Sequence, residues 1–114
     1  MFPRTYNSGD GFELRAEFED AAESPTYPQS AKWRVVCVTN ETVLQDWTVV
    51  PVQTDLDDQG NVLAYYALID VPGTLNVLQN TANAKEAKKV EIAAELSGAR
   101  QYSDEYAYYV RRRQ

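Results

Sequence analysis

Histidine is absent from this 114-residue chain, so neither a Ser-His-Asp nor a Cys-His nucleophilic arrangement can form. There is one cysteine, Cys37, which can make no internal disulfide and cannot supply a zinc site by itself. It stands between Val36 and Val38 with no base to activate it, and reads as a small core residue. The 5 glycines are scattered singly, which excludes a phosphate-cradling loop. No apolar run approaches the roughly 18 residues of a membrane span. The first residues lack a positive stretch followed by an apolar one, so no signal peptide is expected. A single cysteine and no leader fit a reducing compartment.

Positive charge is also scarce. Lys+Arg number 11 against 17 Asp+Glu, a net charge of -6. An acidic domain repels phosphate backbones, so nucleic acid is not an expected partner. The charge is unevenly spread. Asp10, Glu13, Glu17, Glu19, Asp20 and Glu23 load the N-terminal part with acid, and Arg111, Arg112 and Arg113 close the chain with base. One reading is solvated surface and a frayed tail. The other is a pair of docking patches of opposite sign that steer head-to-tail association.

What the chain does have is apolar and aromatic residues, 44% and 11% of it. Its length is that of one ordinary domain, enough to bury roughly two-thirds of the unfolded surface without staples. Residues 1–11 show no clear period and read as an N-terminal arm. From Phe12 the pattern alternates. Phe12, Leu14, Ala16 and Phe18 lie on one face and Glu13, Arg15, Glu17 and Glu19 on the other, a half-buried strand. Pro25 and Pro28 mark a loop.

Lys32–Thr39 reads as a strand with Trp33, Val35 and Cys37 on one face. A tight turn at Asn40-Glu41 leads to a return strand, Val43–Val50, around Trp47. Asp55–Asn61 is a polar turn. Val62–Val71, apolar on both faces, is expected to lie centrally, between layers. Thr74 could cap a short helix carrying Leu75 and Leu78. Residues 84–96 contain strong helix formers, yet Val90, Ile92, Ala94 and Leu96 alternate with Lys89, Glu91, Ala93 and Glu95. Period 2 predicts a strand over Lys88–Leu96. Ser97-Gly98 turns the chain into a last strand, Tyr102–Val110, with Tyr102, Tyr106, Tyr108 and Val110 sharing a face. Short strands at this spacing predict an all-β, antiparallel immunoglobulin-like β-sandwich over 12–110 with one short helical turn. Trp33 or Trp47 would fill the space between its sheets. Residues 111–114 form a basic C-terminal tail.

Two groups of residues have both a chemical and a purely structural explanation. Asp55, Asp57, Gln59 and Gly60 fall where a calcium loop places its first ligands and glycine, but its twelfth position, normally a bidentate Glu, is Tyr66. A polar hairpin loop explains the same residues. Carboxylate pairs such as Glu17 with Glu19 fall on solvated strand faces, and a domain this small has little room for a substrate cleft. No enzyme, metal or cofactor is therefore expected.

The stretches AKWRVVCVTNETVLQDWTVV, YALIDVPGTLNVLQN, AKKVEIAAEL and QYSDEYAYYVRR, in that order, resemble small virion structural proteins of tailed bacteriophages. The features that carry the resemblance are Trp47 after a hairpin, the segment with Pro72, Asn76 and Leu78, and a closing strand with Tyr106, Tyr109, Val110 and Arg111. It extends over roughly Phe12 to Arg112. It implies a virion part assembled in the host bacterial cytoplasm, most simply a capsid cement or decoration protein. Its expected partner is the major capsid protein or a neighbouring virion protein, with several copies per particle and neither nucleic acid nor membrane involved. A head-tail connector (neck) or tail protein is the first alternative, and a carbohydrate-binding or adhesion module the second. The contacts expected to do the binding are Tyr6 in the N-terminal arm and Arg111, Arg112 and Arg113.

Overall fold

The computed structural model describes residues 4–20, 22–96 and 101–113. They are mostly strand: β1 (Arg4–Asn7), β2 (Phe12–Glu17), β3 (Ser30–Cys37), β4 (Thr42–Val49), β5 (Gln53–Leu56), β6 (Val62–Val71), β7 (Lys85–Glu95) and β8 (Gln101–Arg111). The only helical element among the described residues is a 3-10 turn, Gly73–Leu75. One sheet has the order β1-β8-β7-β3-β4 and the other β2-β6-β5. The pairings are antiparallel apart from β1 with β8, which run parallel.

The strand expected over Lys88–Leu96 is β7, which starts three residues earlier at Lys85 and ends at Glu95, and it shows why period outweighs propensity. On β7 the side chains of Glu86, Lys88, Val90, Ile92 and Ala94 are buried, and the residues between them are partly exposed. Coiling this segment would scatter its apolar stripe around a helix. As a strand it pairs with β3 on one side and β8 on the other. Both sheets contribute to one core. Phe18, Ala67, Ile69 and Val71 from the smaller sheet and its extension meet Trp33, Val35, Val90, Ile92 and Tyr108 from the larger. The tryptophan between the sheets is Trp33, only 8% exposed, whereas Trp47 is 36% exposed on β4.

Several local expectations change. The lead-in is not a loose arm where it is described, since Arg4–Asn7 pair with Tyr108–Arg111 as an edge strand. Tyr6 is drawn inward because its ring stacks on Phe12, with centroids 4.4 Å apart, and meets Tyr108 edge-on. Arg111 lies within β8 and not in a tail. Thr74 caps nothing; it sits inside the 3-10 turn, whose N-cap is Pro72 with no side-chain bond, and Leu78 lies beyond it. Strand β6 is central in the three-stranded sheet, but only one of its faces meets the core. The other is covered by side chains alone, the Arg15 guanidinium lying 3.8 Å from the Tyr66 ring centre. The Ser97-Gly98 turn falls outside the described residues.

Edge strand β4 is guarded. Its register with β3 slips twice, between Trp33 and Val35 and between Val35 and Val36. The Trp47 N–H donates to Asp46 Oδ1 (2.8 Å) and Thr48 Oγ1 to the Asp46 carbonyl (3.0 Å). Bulges and locally satisfied backbone groups discourage a foreign strand from pairing here. At the crossing of the two sheets, the Gly9 segment lies directly on Gly73. Any side chain at position 73 would collide with the Gly9 carbonyl.

Candidate interaction surfaces

The register fixes two ends of the molecule. Phe12 pairs with Val71 and Lys85 with Arg111 at one end. Ser30 pairs with Glu95 and Leu56 with Val62 at the other. The rings of Phe12 and Tyr108, 4.9 Å apart, and of Phe18 and Tyr102, 5.3 Å apart, tie the corresponding ends of the two sheets together.

At the first end the core closes on polar groups. Glu86, Lys88 and Asn76 are fully or almost fully buried. The Glu86 carboxylate accepts the N–H groups of Gln79 (2.7 Å) and Asn80 (2.9 Å) and Nδ2 of Asn83 (2.9 Å). Lys88 Nζ donates to the carbonyls of Leu75 (3.1 Å) and Val77 (2.5 Å). Tyr108 donates to Asn76 Oδ1 (2.7 Å), and Asn76 Nδ2 donates to the Asp10 carbonyl (2.8 Å). These side chains replace regular secondary structure for residues 75–83, satisfying backbone groups that no strand would pair. No buried side-chain polar atom lacks a partner among the described residues. Burial acts to raise the Glu86 pKa, but the Gln79 and Asn80 N–H groups, Asn83 and the Lys88 charge outweigh it and hold the carboxyl below its usual range. Burial lowers the Lys88 pKa against the opposing influence of Cys37 and Glu86.

The sequence-predicted contact residues gather at this same end, but the fold itself uses them. Tyr6 is half-buried, its hydroxyl 3.0 Å from that of Tyr106. Burial, followed by this bond, pushes the Tyr106 pKa up to about 12. Arg111 Nε donates to Asn7 Oδ1 (2.8 Å). Arg112 Nη2 donates to the carbonyls of Thr81 (2.7 Å) and Asn83 (3.3 Å). Arg113 pairs with Asp10 at 2.6 Å and donates to the Ser8 carbonyl. Arg112 and Arg113, with Ser8, Val77, Leu78 and Thr81, line an open groove of about 460 Å³.

At the opposite end, β5 and β6 form a hairpin whose turn is shaped by Asp57. Its Oδ1 accepts the N–H groups of Gln59 (2.9 Å) and Asn61 (2.8 Å), and Gly60 adopts a positive φ of 83°. The Asn61 N–H does most to hold the Asp57 carboxyl below its usual range, with burial opposing and Gln59 assisting. Asp55 turns instead to Arg15, 3.4 Å away. Of the Asp55–Asn61 segment read as a polar turn, Asp55 and Leu56 instead pair within β5, and the turn begins at Asp57. Among the described residues no cluster of acidic or sulfur side chains could hold a metal. The tip leaves Leu56 and Leu63 bare, 52% and 56% exposed. Cys37 is buried, its Sγ 3.9 Å from Glu86.

A third feature is the outer face of the five-stranded sheet. Val49 is 80% exposed, and Val43 and Trp47 are exposed with it. Between β4 and β8 lies a shallow depression of about 410 Å³, lined by Lys32, Trp47, Val49, Ala93 and Ser103 among others. The Lys32 and Arg34 cations stand 4.9 and 4.7 Å from the Trp47 ring centre. Arg34 is also bonded to Glu91 at 2.8 Å. Sequence reasoning missed the buried Glu86–Lys88 pair, the groove at Val77 and the bare hairpin tip. Extending the Val90–Ile92 alternation back along β7 places Glu86 and Lys88 on the core face, which is the signal that could have found them.

No protein-family model matches this chain, and no curated protein or solved structure is similar to it at a significant level.

Proposed function

We propose that this protein works by contact and not by catalysis, as a structural component of a tailed-bacteriophage particle. Its place in this reading is the outside of the head, as a cement or decoration protein held by the major capsid protein. The observation that carries the reading is the set of exposed apolar side chains on edge strand β4, at the border of an otherwise charged sheet face. Buried side-chain polar atoms are satisfied among the described residues, yet Val49 and Val43 stand in water beside Trp47, a pattern expected of a surface that is covered in its working state. The sequence resemblance supplies the setting.

The fold belongs to the same proposal. An immunoglobulin-like sandwich is supported by the strand order. The larger sheet places β8, β7, β3 and β4 side by side, as the G, F, C and C′ strands of that architecture, and the smaller follows the B-E-D order. Trp33 then occupies the position of the buried tryptophan on strand C. A glycan-binding role would need a free aromatic platform, and the Trp47 ring already carries two cations.

Deleting the gene from its phage tests the role. A cement role predicts complete particles whose heads rupture on heating or osmotic shock and are rescued by added purified protein. Heads without tails would move the assignment to the connector. Particles unchanged in yield, shape and resistance would contradict a structural role altogether.

A further inference from the structure

The charge split along the sequence becomes in part a split along the length of the molecule, although Asp10 and Glu13 lie at the arginine end, Asp10 paired with Arg113. Glu19, Asp20, Glu23, Glu95 and Asp58 lie toward the end that carries the β5–β6 tip, and Arg111, Arg112 and Arg113 lie at the other. Each end also bears an apolar feature. The tip shows Leu56, Val62 and Leu63 beside Asp57 and the exposed Asp58. The far end holds the groove between Arg112 and the Val77–Thr81 segment, where Val77 is 37% exposed. Arg112 donates only to neutral carbonyls, and no carboxylate lies within salt-bridge distance of it among the described residues.

We propose that copies of this chain associate head to tail, the β5–β6 tip of one copy seating in the Val77–Arg112 groove of the next. The occupant is a second copy because one chain carries both halves, matched in charge and in apolarity. Leucines displace water from Val77 and Leu78, while Asp58 approaches the uncompensated Arg112. The contact is heterologous. It joins two different patches, so each copy keeps one patch free after pairing, and the series closes into a ring or runs on as a filament. The bulged β4 edge disfavours strand addition at that side of the larger sheet. The proposal rests on the contact-based reading above for its biological setting.

Sedimentation velocity on the full chain, over a range of concentration and salt, tests it. The wild type should self-associate at low salt and dissociate as salt screens the charged contacts. Two variants remove one half each: Asp58→Lys with Leu63→Lys at the tip, and Val77→Glu in the groove. Arg112→Glu is a second groove variant, with thermal melts confirming that each is folded. Each variant alone should associate at least about tenfold more weakly than the wild type. Mixing a tip variant with a groove variant should restore pairing, but only to dimers, because each pair retains one intact junction and no free matching half. A monomeric wild type at low salt, variants that assemble as the wild type does, or a mixture that stays monomeric would each overturn the inference. A monomer that is nevertheless present in virions overturns the head-to-tail contact and leaves the virion role. Assembly of a protein absent from virions does the reverse.

Discussion

Trp33→Ala is expected to cost roughly 3–5 kcal/mol, and Trp47→Ala about 1 kcal/mol or less. The two residues stand on neighbouring strands of one sheet and differ in what surrounds them. Trp33 points between the sheets among Val35, Ile69, Val90 and Ile92 and keeps 8% of its surface in water. Its removal leaves a cavity that rigid strands on both sides cannot close. Trp47 points outward, and its loss removes two exposed cation contacts. Chemical denaturation of the two variants measures the difference. In a domain of this size the first change should lower the melting temperature by more than about 10 °C. Equal small effects would mean that the sheets do not close over Trp33.

Glu86→Ala is expected to be as damaging, at roughly 3–5 kcal/mol, for a different reason. The carboxylate receives three N–H donors from residues 79–83 and lies close to buried Lys88. Truncating it strands those donors and leaves the lysine charge without its counterpart. The same site gives a pH dependence with a definite sign. The folded-state pKa of Glu86 lies below its ordinary value, so its contribution is complete above the ordinary carboxylate range and is lost as pH falls through the lowered folded value. Wild-type stability should therefore decline in acid, and Glu86→Gln, stable enough to measure by denaturant titration, should lose part of that decline. A variant with an unchanged acid slope would show that the Glu86 carboxylate is not held as described.

These two cases mark how far the sequence could be read. Trp33 belonged to an alternation of apolar residues on β3, and apolar patterning of this kind located six of the eight strands because it reports burial directly. The exceptions, β1 and β5, are each four residues long at the edge of a sheet, too short for a period to appear. Glu86 and Lys88 obeyed the same alternation, but charge at a core position reads as surface until a partner is known. Their partners are backbone groups of residues 75–80, brought there by the fold and invisible in composition. At Arg111, Arg112 and Arg113 the sequence shows the charge but not the bonds these side chains make within the fold. A basic run near the end of a chain looks free, yet β1 and the Ser8–Asp10 turn lie alongside it and take up two of the three side chains. Asn76, picked out only as part of the resemblance, is a buried anchor linking Tyr108 to the Asp10 backbone.

Quantitative mass spectrometry of purified virions tests the central claim most directly. The account predicts that this protein remains with the particles through repeated gradient purification, in a copy number comparable to that of the major capsid protein. About a dozen copies would place it at the neck or tail. Its absence from purified particles would contradict the assignment as a virion structural protein.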